Sequence, residues 1–171
     1  MTDEIKYLVS QYSAEWQYND NYDLNNAVAE IGLYQGQLVV HIRDNSGTSF
    51  GEFYGSGFSD NNWHTAKVVY DAVNNYLSVR IDDIVYFSDH VEDIGSITSD
   101  SPIYLGAQQI HGHHFNGQIN RVSAWDTAID KNNINDYDNY KLLNYEMTEG
   151  QGSELEDLSG NGNNGTIYDA T

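Results

Sequence analysis

The chain has 171 residues, a length suited to one domain, with 26 Asp and Glu against 7 Lys and Arg for a formal net charge of −19. Such acidity repels phosphate backbones, anionic lipid and, unless a cation intervenes, acidic carbohydrate, which argues against nucleic-acid binding and against membrane attachment through basic patches. Cys is absent, which excludes disulfides, thiolate nucleophiles and Cys-type zinc sites.

With 39% hydrophobic and 13% aromatic residues, 14 Tyr among them, the chain still carries enough apolar surface for a folded core. No apolar run approaches the roughly 20 residues needed to cross a bilayer. The start, MTDEIKYLVS, lacks a basic region followed by an apolar stretch, so neither a signal peptide nor membrane insertion is expected.

Fifteen Gly, one Pro and many Asn and Asp punctuate short apolar runs, the pattern of an all-β chain with tight turns. In chain order, KYLVSQYS is the first strand candidate, followed by the polar stretch YSAEWQYNDNYDLNN, which has no two-residue apolar period. VAEIGLY (Val28 to Tyr34), a turn at Gln35 and Gly36, and QLVVHIR (Gln37 to Arg43) read as a hairpin that ends at the loop DNSG, Asp44 to Gly47. Residues 63 to 81 read as a second hairpin turning at Asn74 and Asn75. Its second strand alternates Leu77, Val79 and Ile81 with Ser78 and Arg80, the period of a strand with one face on a core. IVYFS (Ile84 to Ser88) follows a tight turn at Asp82 and Asp83, and SPIYLGA, GQINRVSAW and KLLNYEMT supply further strands. The total of about ten strands spaced by turns predicts a sandwich or barrel of antiparallel sheet. One short helix is expected near residues 127–138, where Asp126 or Thr127 could cap and Ile129, Ile134 and Tyr137 recur at helical intervals. Without a Pro-rich linker or a charged tail, residues 1–171 are expected to form a single domain.

Four segments carry a family resemblance: NNWHTAKVVYDAVNNYLSVRIDD at 61–83, SPIYLGA at 101–107, FNGQINRVSAWDTAID at 115–130 and YEMTEGQGSELEDLSGNGNNGT at 145–166. In them the chain resembles the laminin G-like, or concanavalin A-like, jelly-roll superfamily, in the version common in bacterial and viral multidomain proteins. The resemblance implies a two-sheet antiparallel jelly-roll sandwich that hosts lectins, adhesion modules and glycosidases alike. It also implies that Trp63 and Trp125 are core residues, with His64 packing beside them. The last segment usually opens such domains, yet here it closes the chain. Residues 142–171 would therefore belong to a circularly permuted domain, or the opening strands would come from another chain.

Asp157, Ser159 and Asn161 stand at alternate positions in DLSGNGNNG, with a turn at Gly162 and the Asn163 carbonyl next. That is the oxygen spacing of the first half of a calcium loop, although the closing Glu is replaced by Tyr168. The same residues suit an Asn-Gly turn bonded to its own backbone, so Ca²⁺ is an open expectation. His111, His113 and His114 form a cluster whose alternate members could face one transition metal or a ligand, or lie in an ordinary exposed loop. Tyr12, Trp16, Tyr18 and Tyr22 could stack on sugar rings, or could simply cover one end of the sandwich.

Related glucanases place Glu, Asp and Glu on one strand so that acid and nucleophile face a sugar across roughly 5 Å. That spacing does not occur here, nor does a phosphate loop or a Gly-x-Ser-x-Gly elbow, so the expectation is no enzyme. The chain is expected to be a non-catalytic surface module for carbohydrate recognition or adhesion, on a cell surface or a virion. The alternative is a structural or decoration protein of a phage capsid or fibre, homo-oligomeric and partnered by protein subunits. A glycoside hydrolase is the remote third.

Overall fold

The computed structural model describes residues 5–12, 27–91, 94–97, 99, 101–107, 114–128, 140–148 and 152–168. The described residues form twelve strands and no α-helix. They are β1 (Lys6–Tyr12), β2 (Ala27–Tyr34), β3 (Gln37–Arg43), β4 (Ser49–Tyr54), β5 (Ala66–Asp71), β6 (Tyr76–Ile81), β7 (Ile84–His90), β8 (Ile103–Leu105), β9 (Arg121–Trp125), β10 (Lys141–Glu146), β11 (Glu154–Leu155) and β12 (Gly165–Thr166). The helix expected near 127–138 falls, from residue 129 on, outside the described residues.

The chain forms two compact units, residues 1–116 and 117–171. In the first, a five-stranded antiparallel sheet of order β4-β3-β2-β1-β8 faces a three-stranded sheet of order β5-β6-β7. Their shared core follows from two-residue alternation: Leu38, Val40 and Ile42 of β3 and Tyr54 of β4 meet Leu77, Val79 and Ile81 of β6, with Val91 and Ile94 beyond β7. Each of these aliphatic side chains contributes about 1.5–3 kcal/mol by leaving water, which makes the alternating strands the chief stabilising feature of the unit. This arrangement is the antiparallel two-sheet sandwich that the strand spacing predicts.

Strand β4, SFGEFY, is missing from the sequence reading. Gly51 interrupts it and aromatic residues occupy both faces, so no clean alternation shows; only the register Leu38↔Tyr54 and Ile42↔Phe50 fixes which side is the core. In the second unit, β9 pairs with β10 and β11 with β12, and Leu143, Tyr145 and Leu155 are buried there.

Three connections gather at one end of the first unit. The β2–β3 turn (Gln35, Gly36) accepts a hydrogen bond at the Gly36 carbonyl from the Phe58 N–H, 3.0 Å away in the long β4–β5 loop. Near the end of the same loop His64 reaches the β6–β7 turn at Asp82.

Candidate functional site

The structure brings together the residues proposed as calcium ligands, with their hydrogen bonds directed inward. Asp157 is 7% exposed. Its Oδ1 accepts from the backbone N–H groups of Ser159 and Asn144, both at 2.9 Å, and its Oδ2 from the Ser159 hydroxyl at 2.8 Å and the Asn163 N–H at 3.0 Å. A carboxylate offers about four lone-pair directions, and four donors occupy them. Asn161 and Asn163 turn their amide nitrogens onto the carbonyls of Lys141 and Leu142, at 2.6 and 2.8 Å. The Tyr145 hydroxyl donates to the Asn163 carbonyl, the remaining oxygen of the expected set. The arrangement is a self-capped turn stitched to β10 and does not fit a calcium shell, which needs six or more converging oxygens. Among the described residues no group of three or more His, Asp or Glu is placed to hold a metal ion.

The first unit contains a second copy of this turn. Asp44, also 7% exposed, begins Asp-Asn-Ser-Gly as Asp157 begins Asp-Leu-Ser-Gly. Asp44 Oδ1 accepts from the Ser46 N–H at 2.9 Å, the Ser46 hydroxyl at 2.8 Å and the Thr48 N–H at 2.8 Å, while Oδ2 accepts from the distant Gly95 N–H at 2.8 Å. The glycines of the two turns have φ of 96° and 88°, where a side chain would be strained. The Gly95 N–H and then the Ser46 and Thr48 donors hold the Asp44 carboxyl down to about 2. Burial pushes Asp157 upward, but its ring of N–H and O–H donors outweighs that and leaves it at about 2.

The β4–β5 loop is built differently. Gly55, at φ 63°, brings the chain so close to Phe58 that an added Cβ would lie 2.6 Å from its ring, and the Gly55 carbonyl accepts from the Gln37 amide at 3.0 Å. The Phe58 ring packs edge-on against His64 and Tyr86, with centroids 5.2 and 6.0 Å apart. His64 Nδ1 lies 2.7 Å from Asp82 Oδ2 and Nε2 lies 3.0 Å from Asp60 Oδ1. Asp60 is further tied to the Asn62 N–H and amide at 2.8 and 2.7 Å, and Asp82 Oδ1 to the Thr65 N–H at 2.9 Å.

A neutral imidazole has one N–H, so two carboxylate contacts require the imidazolium. The bonds to Asp82 and then Asp60 raise the His64 pKa. Asp60 is held below the usual carboxylate range by the Asn62 amide and then His64, and Asp82 by His64 and then Thr65.

Trp63 corrects the sequence expectation. Expected in the core, it is 64% exposed. It stands three residues before the start of β5, so strand alternation does not reach it, and the bonds of Thr65 and His64 to Asp82 fix the chain there without burying the indole. His64, expected to pack, does so against Phe58 while carrying the two carboxylate contacts. Trp125 is half-buried, with Lys141 Nζ 5.9 Å from its ring centroid.

Among the carbohydrate candidates, Trp16, Tyr18, Tyr22, His111 and His113 lie outside the described residues. Tyr12 ends β1, and His114 is exposed and bridges in parallel to Tyr7. The signal that could have pointed to Trp63 is its setting in Asp-Asn-Asn-Trp-His, a polar turn sequence in place of an apolar period.

No curated protein matches the chain in sequence. The laminin G domain family matches residues 17–126, a span that includes the β4–β5 loop and ends just after β9. Laminin G domains are typically extracellular, non-catalytic binding modules, and no helix among the described residues is long and apolar enough to cross a membrane. With more than half of its residues matched and an antiparallel two-sheet sandwich in the matched region, the chain belongs to the laminin G domain family.

Proposed function

We propose that this laminin G domain recognises a neutral carbohydrate at an outer surface, as an adhesion or lectin-like module of a cell or virion. The observation that carries the reading is the combination of exposed aromatic side chains, Phe53, Trp63, Tyr86, Tyr140 and Tyr168, with a net charge of −19. Aromatic faces match the apolar C–H faces of sugar rings, and the acidity disfavours sulfated, sialylated or phosphorylated ligands. Among the described residues, Asp44, Asp60, Asp71, Asp82 and Asp157 are all held below the usual carboxylate range by hydrogen bonds, which keeps them ionised and engaged.

The test is light scattering of the purified chain followed by an array of neutral and acidic glycans, read with calcium and with chelator. Retention on neutral glycans is expected in both conditions, since the turn at Asp157 is closed by protein donors. A large self-assembled particle silent on every glycan would replace this reading with that of a structural capsid or fibre subunit.

A further inference from the structure

We infer that Trp63 and Asn61 of the β4–β5 loop form the sugar-contacting site of this domain, the indole stacking on a ring and the amide meeting its hydroxyls. The inference rests on the carbohydrate reading above and assigns it to a place.

Three observations support it. First, Trp63 is the most exposed large side chain of the loop, yet it stands on a backbone held from three directions. Phe58 is bound to the Gly36 carbonyl, His64 is bracketed by Asp60 and Asp82, and Asp82 and Thr65 exchange hydrogen bonds of 3.0 and 2.9 Å. A ligand meeting such a loop orders little that is not already ordered, and reduced ordering is where preorganised sites gain affinity.

Second, the polar groups of the loop divide cleanly. Asp60, Asn62 and His64 are engaged with one another, whereas the indole N–H of Trp63 and the side-chain amide of Asn61 have no partner among the described residues. Asn61 sits at φ 65°, a left-handed conformation that Asn tolerates and that holds an exposed residue in the turn just before the Trp. The loop thus presents one apolar face with unengaged N–H donors nearby, as a ring with hydroxyls requires.

Third, the nearby charges are compensated within the protein. The His64 imidazolium answers Asp60 and Asp82, and Lys67 Nζ lies 3.2 Å from Asp83 Oδ1. Three carboxylates against two cations leave a slight negative excess, which disfavours an anionic ligand while offering no free carboxylate for a cationic one. A neutral polyhydroxylated ring is the chemistry that remains.

The experiment compares the full chain with Trp63→Ala, Trp63→Phe and Asn61→Gly on the neutral glycan that the wild type retains best. Gly preserves the positive φ while removing the amide. Trp63→Ala is expected to weaken retention by at least about tenfold, the effect of losing one aromatic stacking contact with its buried area. Trp63→Phe should keep part of the affinity and Asn61→Gly should lose a smaller part, with melting temperatures near wild type throughout.

If Trp63→Ala melts early, Trp63→Phe decides: a well-folded Phe variant that binds better than Ala supports stacking, and one that binds no better overturns it. Unchanged retention in Trp63→Ala overturns this site and leaves the carbohydrate reading standing. Failure of the wild type to retain any glycan overturns both.

Discussion

In the turn Asp157–Asn163 a carboxylate buried to 7% exposure collects four donors, and its Asn neighbours close onto the backbone of β10. At the β4–β5 loop two carboxylates exposed to about the same degree, Asp60 of the loop at 41% and Asp82 of the β6–β7 turn at 42%, share one imidazolium and leave an indole and an amide facing solvent. The residue types are nearly the same in both places: Asp, Asn, Ser and Gly in turns between strands. What differs is burial. A carboxylate out of water must be answered by protein donors at every lone pair, and that requirement organises the whole turn around it. A carboxylate in water is already satisfied, so the loop can use it to orient a neighbour while other side chains stay available. The acidity of the chain therefore serves two tasks, stapling in the buried turns and display at the end of the sandwich.

The comparison breaks most readily at the buried acids. Asp157→Asn and Asp44→Asn keep size and remove both the charge and half of the acceptor capacity, turning an NH₂ toward N–H donors. Each is expected to lower stability by about 2 to 3 kcal/mol, the scale of charged hydrogen bonds left unmade in a buried site. Urea unfolding with unchanged slope is the measurement. Asp60→Asn in the exposed loop should shift the midpoint by much less. Equal losses at all three positions would mean that burial is not what separates the two regions.

Acid offers the second test, because the buried carboxyls lie at about 2 in the folded chain, below the roughly 3.9 of an unfolded Asp. A depressed carboxyl contributes stability that is present above the unfolded value and is lost as pH falls toward the folded one. The gap between wild type and Asp157→Asn should hold from neutrality down to about pH 4 and close between about pH 4 and 2. A gap that persists at pH 2 would assign the loss to shape rather than charge.

Much of the scaffold was legible in the residues. Leu77, Val79 and Ile81 alternate because one strand face meets the core, and the positive φ of Gln35, Gly36, Asp82 and Asp83 falls where tight turns were expected. The alternation Asp157, Ser159, Asn161 was legible as well, but Ser and Asn can donate or accept, so spacing alone does not separate a cation shell from a self-capped turn. The donors and acceptors that decide it belong to Asn144, Lys141 and Leu142, thirteen to twenty-one residues away in sequence. The Asp44 turn likewise needs Gly95, brought in by the tertiary fold. Trp63 differs for a related reason: the family resemblance implies a core position, and only the clamp on His64 and Thr65 shows it left outside.

The smallest expected effect concerns that clamp. Asp60 and Asp82 face the His64 ring nitrogens, Phe58 packs on its side, and the neighbouring Lys67 and Asp83 pair with each other. The His64 pKa is raised by the two carboxylates, so its contribution is fully present below the unfolded value near 6.5 and is lost as pH rises through the folded one. His64→Gln should therefore melt below wild type at pH 5.5 and approach it at pH 8.5. The difference at low pH should shrink with added salt, because the partners are solvent-exposed. An offset of the same size at both pH values would make the ring's contact with Phe58, and not its proton, the feature that holds the loop.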